Sequence, residues 1–183
     1  MIPSPVLWRA MGAEDLAVVM TIADRLHVDH PEDAAVFAER LALAPATCLV
    51  AESDGAIGGY AIAHPWLIAA PPALNSRLGS LPERPSTLHV HDVALLPDLR
   101  GRSVATAVIA HFADVARQAE LPRLSLVAVG GTEVLWRRFG FTEVATTGVG
   151  LASYGADARY LATPPAAAVT GAEPPGSVGH RPG

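Results

Sequence analysis

Apolar and polar residues along the chain recur in two rhythms, one near two residues and one near 3.6. "VLWRAM" at 6–11 reads as a short first strand. After Gly12, Glu14 or Asp15 can open a helix, and Leu16, Met20, Ala23 and Leu26 or His27 then recur at helical spacing. A second helix is predicted over 31–43. It has Pro31 at an early helical position, Glu32 and Asp33 in the first turn, and Val36, Phe37 and Leu41 on its apolar stripe. "ATCLVAES" reads as a strand, "SDG" as its turn, and "AIGGYAIAHPWLI" as the hairpin partner.

Residues 71–85 form a polar, proline-bearing connection, long enough to shape a pocket. The strand over 87–96 is apolar on both alternating faces, as a central strand is. Pro97 ends it. A helix is predicted from near Ser103, with Val104, Val108, Phe112, Val115 and Ala119 on one stripe and Pro122 beyond its end. A core strand at 123–129, a short helix within "GGTEVLWRRFGF", and last strands near 141–144 and 158–162 complete the series. This order predicts an α/β (mixed α+β) single domain over 1–163. Residues 164–183, rich in Pro, Gly and Ala, read as a disordered tail.

Composition narrows the chemistry. A chain of 183 residues that is 50% hydrophobic supports one sizeable core. The formal charge is -5 and no basic run exists, so a nucleic-acid surface is not expected. The basic residues are all arginine, which excludes a Schiff-base lysine and a Walker lysine. The single cysteine, Cys48, reads as a buried strand residue. With no signal-like N-terminus and no long apolar run, a cytoplasmic protein without a membrane span is expected.

The turn at 100–106 carries the most specific signal. It joins a strand to a helix whose first N–H groups lack internal partners and favour an anion. Gly101 permits a left-handed turn, Ser103 and Ala105 are small, and Arg100 and Arg102 can bind phosphate oxygens. With "VALLPDLRGRSVATAVI", "LSLVAV" and "VLWRRFGF", the sequence resembles the GCN5-related N-acetyltransferase (GNAT) superfamily over roughly residues 6–162. The resemblance implies a central splayed mixed sheet flanked by helices and an acetyl-CoA cosubstrate. Arg100, Ser103 and Ala105 match the family's Arg/Gln-x-x-Gly-x-Gly/Ala pattern. Backbone amides from Arg102 through Val104 to Thr106 would cradle the pyrophosphate, and Val93, Ala94 and Leu95 would meet the pantetheine arm. Two departures stand out: serine at 103 where glycine is usual, and Trp136 where the family often has a tyrosine acid. Trp136 can pack against the coenzyme or the core, and indole is no general acid.

For catalysis, "HVHD" offers His91 or Asp92 as base or positioning group, since a carboxylate in an apolar run must be paired. The resemblance implies that the Val93 or Leu95 N–H is the oxyanion donor. Tyr154 is a candidate to replace the missing tyrosine. Tyr60, His64 and Trp66 can line an acceptor pocket. His89 and His91, with His64 or Asp92, raise a zinc reading that lacks a spaced third ligand, so no metal is predicted. The sequence thus predicts acetyl transfer to a primary amine of a small molecule or peptide. The alternatives are a noncatalytic acyl-CoA-binding module and an interaction protein of the same fold. A sheet edge is a candidate homodimer surface.

Overall fold

The computed structural model describes residues 4–101 and 103–170. Seven strands form one sheet in the order β1-β2-β3-β4-β5-β7-β6. β1 (Leu7–Ala10), β2 (Cys48–Ser53), β3 (Ala56–Trp66) and β4 (Thr87–Leu95) are antiparallel neighbours. β5 (Leu124–Ala128) runs parallel to β4, and β7 (Arg159–Thr163) and β6 (Thr142–Glu143) follow antiparallel. The β2–β3 hairpin turns through Asp54 and Gly55, both at positive φ, which suits the right-handed twist of its strands.

The period-two pattern gives the sheet two apolar faces. Ala61 and Ala63 of β3, with Leu88 and Val90 of β4, pack under α3 (Val104–Gln118) through Val108, Ile109 and Phe112. Tyr60 and Ile62 face the other way, toward α1 (Leu16–Leu26) and Phe37 of α2 (Ala34–Leu43). The short α4 (Glu133–Arg137) sets Trp136 against the α3-side core, ring to ring with Phe139 and Phe141. Cys48 is fully buried in β2, and burial pushes its thiol up to about 12, so it is inert as a nucleophile.

Two expectations are corrected. The second helix begins at Ala34, not at Pro31, because the polar groups of 32 and 33 are taken by tertiary partners: Asp33 N–H donates to Asn75 Oδ1 (2.8 Å) and Glu32 Oε1 accepts Asn75 N–H (2.8 Å). The tail is not without structure from 164 on. Pro165–Thr170 form α5, whose alanines lose no side-chain entropy in a helix, and Ala168 is buried in the α3-side core. Residues 171–183 lie outside the described residues.

At the start of β4 the sheet face opposite α3 turns polar. His64 and His89 are fully buried, with ring centroids 5.4 Å apart. His89 Nδ1 lies 3.2 Å from Ser125 Oγ, which also accepts the Thr87 hydroxyl at 3.0 Å. Burial, reinforced by His91 and Arg40, pushes His64 down to about 3, and burial takes His89 well below its ordinary value. Both rings are neutral when folded, yet titrate near about 6.5 when unfolded. Below that pH the unfolded chain binds protons that the folded chain refuses, so stability is lost as pH falls. Each ring contributes roughly tenfold in the folding equilibrium per pH unit. Denaturant titrations at about pH 7 and about pH 5.5 should show this loss, and it should shrink in His64→Gln.

Candidate active site

The site begins where the sheet opens. β4 and β5 pair only at Leu88–Leu124 and His89–Ser125. Leu96 N–H donates to Gly58 O on the β3 side (2.8 Å). Strand alternation therefore sends the N–H groups of Val93 and Leu95 the other way, toward the gap before β5. Ala94, between them, opposes Tyr60 of β3 and buries its methyl in the α1/α2 core. Arg100 Nε donates to Leu95 O (3.0 Å) at the gap's far end.

A bulge decides what faces this opening. Ile62 opposes Asp92 and Ala63 opposes Val90, so His91 is the extra residue in β4. Val90 and Val93 both pack on the α3 side, and Ala94 packs on the other. His91 and Asp92 thus fall consecutively on the α1/α2 face, in a pocket that Phe37, Leu74, Val127 and Tyr154 also line. An unbulged strand would have turned Asp92 into the α3 core.

Each member has a partner from another element. Asp92 Oδ2 accepts the Tyr60 hydroxyl at 2.5 Å and lies 3.0 Å from His27 Nε2 at the end of α1. Burial pushes the Asp92 carboxyl up, but His27 and Tyr60 outweigh it and hold it below its ordinary range. Asp92 in turn raises His27 against the effect of burial. His91 Nε2 lies 2.9 Å from Glu32 Oε2, with side chains 2% and 9% exposed. Neither imidazole–carboxylate contact has the N–H aligned as a hydrogen bond; both are close in distance and off in angle. Tyr154 ends a 3-10 turn (Gly150–Tyr154), and its carbonyl lies 3.0 Å from His30 Nε2. Burial pushes its phenol above the ordinary tyrosine value. A Cβ at Gly150 would sit 2.0 Å from Pro71 O, so only glycine lets this turn dock on the long loop.

At the other end of β4, Gly101 (φ +70) and Ser103 (φ 58) are both left-handed just before α3. The first N–H groups of α3, which follow this turn, lack internal helical partners and favour an anion. Arg100, Gly101 and Ser103 are exposed around the turn, Val104 is buried beneath it, and Ala105 and Thr106 lie in the first turn of α3. Arg102 lies outside the described residues.

A model of the acetyltransferase (GNAT) family matches residues 16–141. The chain belongs to that family. GNAT architecture recurs among solved structures. Ard1 from Thermoplasma volcanium aligns with a TM-score of 0.67 at 14% identity, covering 87% of this chain and 97% of that one. The loading GNATL domain of CurA from Lyngbya majuscula aligns at 0.71 and 10%, covering 88% and 98%. N-acetylglutamate synthase from Neisseria gonorrhoeae, complexed with coenzyme A and N-acetyl-glutamate, aligns at 0.67 and 14%, covering 89% and 36%. At these identities the likeness is one of fold. No curated protein matches the sequence.

Within this GNAT fold the structure gathers His91, Asp92 and Tyr154 in one pocket. Trp136 is not among the pocket's lining residues and packs on the core. Tyr60 stands behind the pocket as a partner of Asp92, while His64 and Trp66 are not among its lining residues. Sequence reasoning missed His27, His30 and Glu32. Their signal was a cluster of titratable residues in "HVDHPED", split there between two helix assignments.

Two substitutions test the turn. Gly101→Val meets no steric obstacle, since nothing lies within 4 Å of its Cβ, but the positive φ opposes a β-branched residue. It should lose acetyl-CoA binding in calorimetry while the circular-dichroism spectrum stays folded. Ser103→Gly removes a left-handed non-glycine residue and should raise the melting temperature by an amount equivalent to about 1 kcal/mol.

Proposed function

We propose that this acetyltransferase moves an acetyl group from acetyl-CoA to the nitrogen of a primary amine, by direct attack on the thioester. The observation that carries the reading is the bulge, which sets His91 and Asp92 side by side next to the unladdered amides of Val93 and Leu95. Acetyl-CoA supplies the acetyl group as a thioester with a stable leaving thiolate. The turn at Gly101 and Ser103, flanked by Arg100, fits its pyrophosphate. The solved N-acetylglutamate synthase of this fold is complexed with coenzyme A.

The chain's own groups divide the remaining work. The Val93 or Leu95 N–H donates to the oxygen on which charge develops. Asp92, held ionised by His27 and Tyr60, draws the acceptor's ammonium to the pocket. Asp24 and Glu32 also line it and add to that field. The ammonium gives one proton to solvent to free its lone pair, and His91 takes the second, which the nitrogen loses as it bonds to carbon. Tyr154, kept protonated by burial, donates to the leaving sulfur in place of the tyrosine missing at 136. Among the described residues no helix is long and apolar enough to cross a membrane, and we assign the activity to the cytoplasm.

Acetyl-CoA titration by calorimetry, followed by thiol release with a mixed amine library, tests the reading. Binding with amine-dependent release is expected, whereas binding without release across the library would favour an acyl-CoA-binding module. His91→Gln and Asp92→Asn should each lower kcat/KM by about a hundredfold or more with acetyl-CoA affinity unchanged.

A further inference from the structure

Glu32 stands at the junction of three segments. One carboxylate oxygen lies 2.9 Å from His91 Nε2 at the bulge, and the other accepts Asn75 N–H at 2.8 Å. Asn75 is itself fixed by two bonds to Asp33: its Oδ1 accepts Asp33 N–H at 2.8 Å and its Nδ2 donates to Asp33 Oδ2 at 3.2 Å. The long loop is tied a second time by Glu39, which accepts the N–H groups of Leu78 (2.7 Å) and Gly79 (3.1 Å). A third tie comes from the buried Arg40, which donates to Ser76 O (2.8 Å). Glu32 is therefore a fixed charge on a braced segment. The ring it faces is nearly sealed from water, and its Nδ1 is buried without a hydrogen-bond partner. Burial pushes the Glu32 carboxyl up, yet His91 and Asn75 N–H hold it below its ordinary value, so it is a full negative charge at neutral pH.

We propose that Glu32 is a positioning residue for the transfer, holding the His91 ring at the bulge and supplying the countercharge for the imidazolium that forms there. The inference rests on the reading of His91 as base. In the step, the amine nitrogen bonds to the thioester carbon as the carbon–sulfur bond breaks. The proton lost by nitrogen goes to His91, and the sulfur takes one from Tyr154 or solvent. A buried imidazolium without a countercharge is costly. The other charged or titratable neighbours of His91 are His89 and Asp92 on its own strand, His64 of β3, Asp24 of α1, His27 and His30 just after that helix, Arg40 of α2 and Tyr154. Asp92 is already engaged by His27 and Tyr60. That leaves Glu32 as the carboxylate in contact with the ring.

Glu32→Gln separates charge from shape, because the amide oxygen still accepts Asn75 N–H. Steady-state kinetics of the full chain should show kcat reduced by about tenfold or more with the KM for acetyl-CoA unchanged. The acidic limb of the kcat/KM profile should move down by about one pH unit. Glu32→Asp should restore part of kcat, and Glu32→Gln added to His91→Gln should cost nothing further. Wild-type kcat and pH profile in Glu32→Gln, alongside an impaired His91→Gln, would overturn the positioning role and leave the base reading intact. A fully active His91→Gln would overturn both. A melting temperature close to wild type in Glu32→Gln confirms that charge, not folding, is being read.

Discussion

One extra residue in β4 governs this molecule. A strand alternates its side chains strictly, so "HVHD" in regular register would send His91 to one face and Asp92 to the other. The bulge breaks that alternation once, and it does so beside the place where β4 leaves β5. Two polar side chains reach the same pocket, and the next residue, Val93, returns to the α3 core. The same irregularity thus loads the pocket and preserves the hydrophobic layer behind it.

Such a site is expensive to build, because ionisable groups in a nearly dry pocket must find partners. The solution is reciprocal and draws on distant elements. Asp92 is met by the end of α1 and by β3, and His91 by the segment before α2. Two of these partners, His27 and Glu32, come from the connection between α1 and α2, which is why the late start of α2 matters. Had the helix begun at Pro31, Glu32 would be committed to its first turn.

The fold was largely legible because its signals are local. The alternation in β3 and β4, the stripe of α3 and the left-handed turn before it are all written within a few residues of where they act. The pair His91–Asp92 was visible as polarity inside an apolar run. The bulge was not, because register is a relation between strands. Glu32 was read as a helix-start acid since local propensity favours that, and the tertiary pull of Asn75 and His91 overrode it. Trp136, read as packing on coenzyme or core, meets Phe139 and Phe141 while staying partly exposed. The α5 helix was hidden by a composition that also suits disorder, and it forms where alanines fit closely against α3.

The sheet is continuous in order but nearly divided in fabric, since β4 and β5 share two paired positions. Its two halves meet at Leu88 and His89 and share α3 as a roof on one side. A molecule lying in the gap is then both cargo and mortar. Any hydrogen bond it accepted from the open edge of β4 would also close the seam, so affinity and rigidity would rise together.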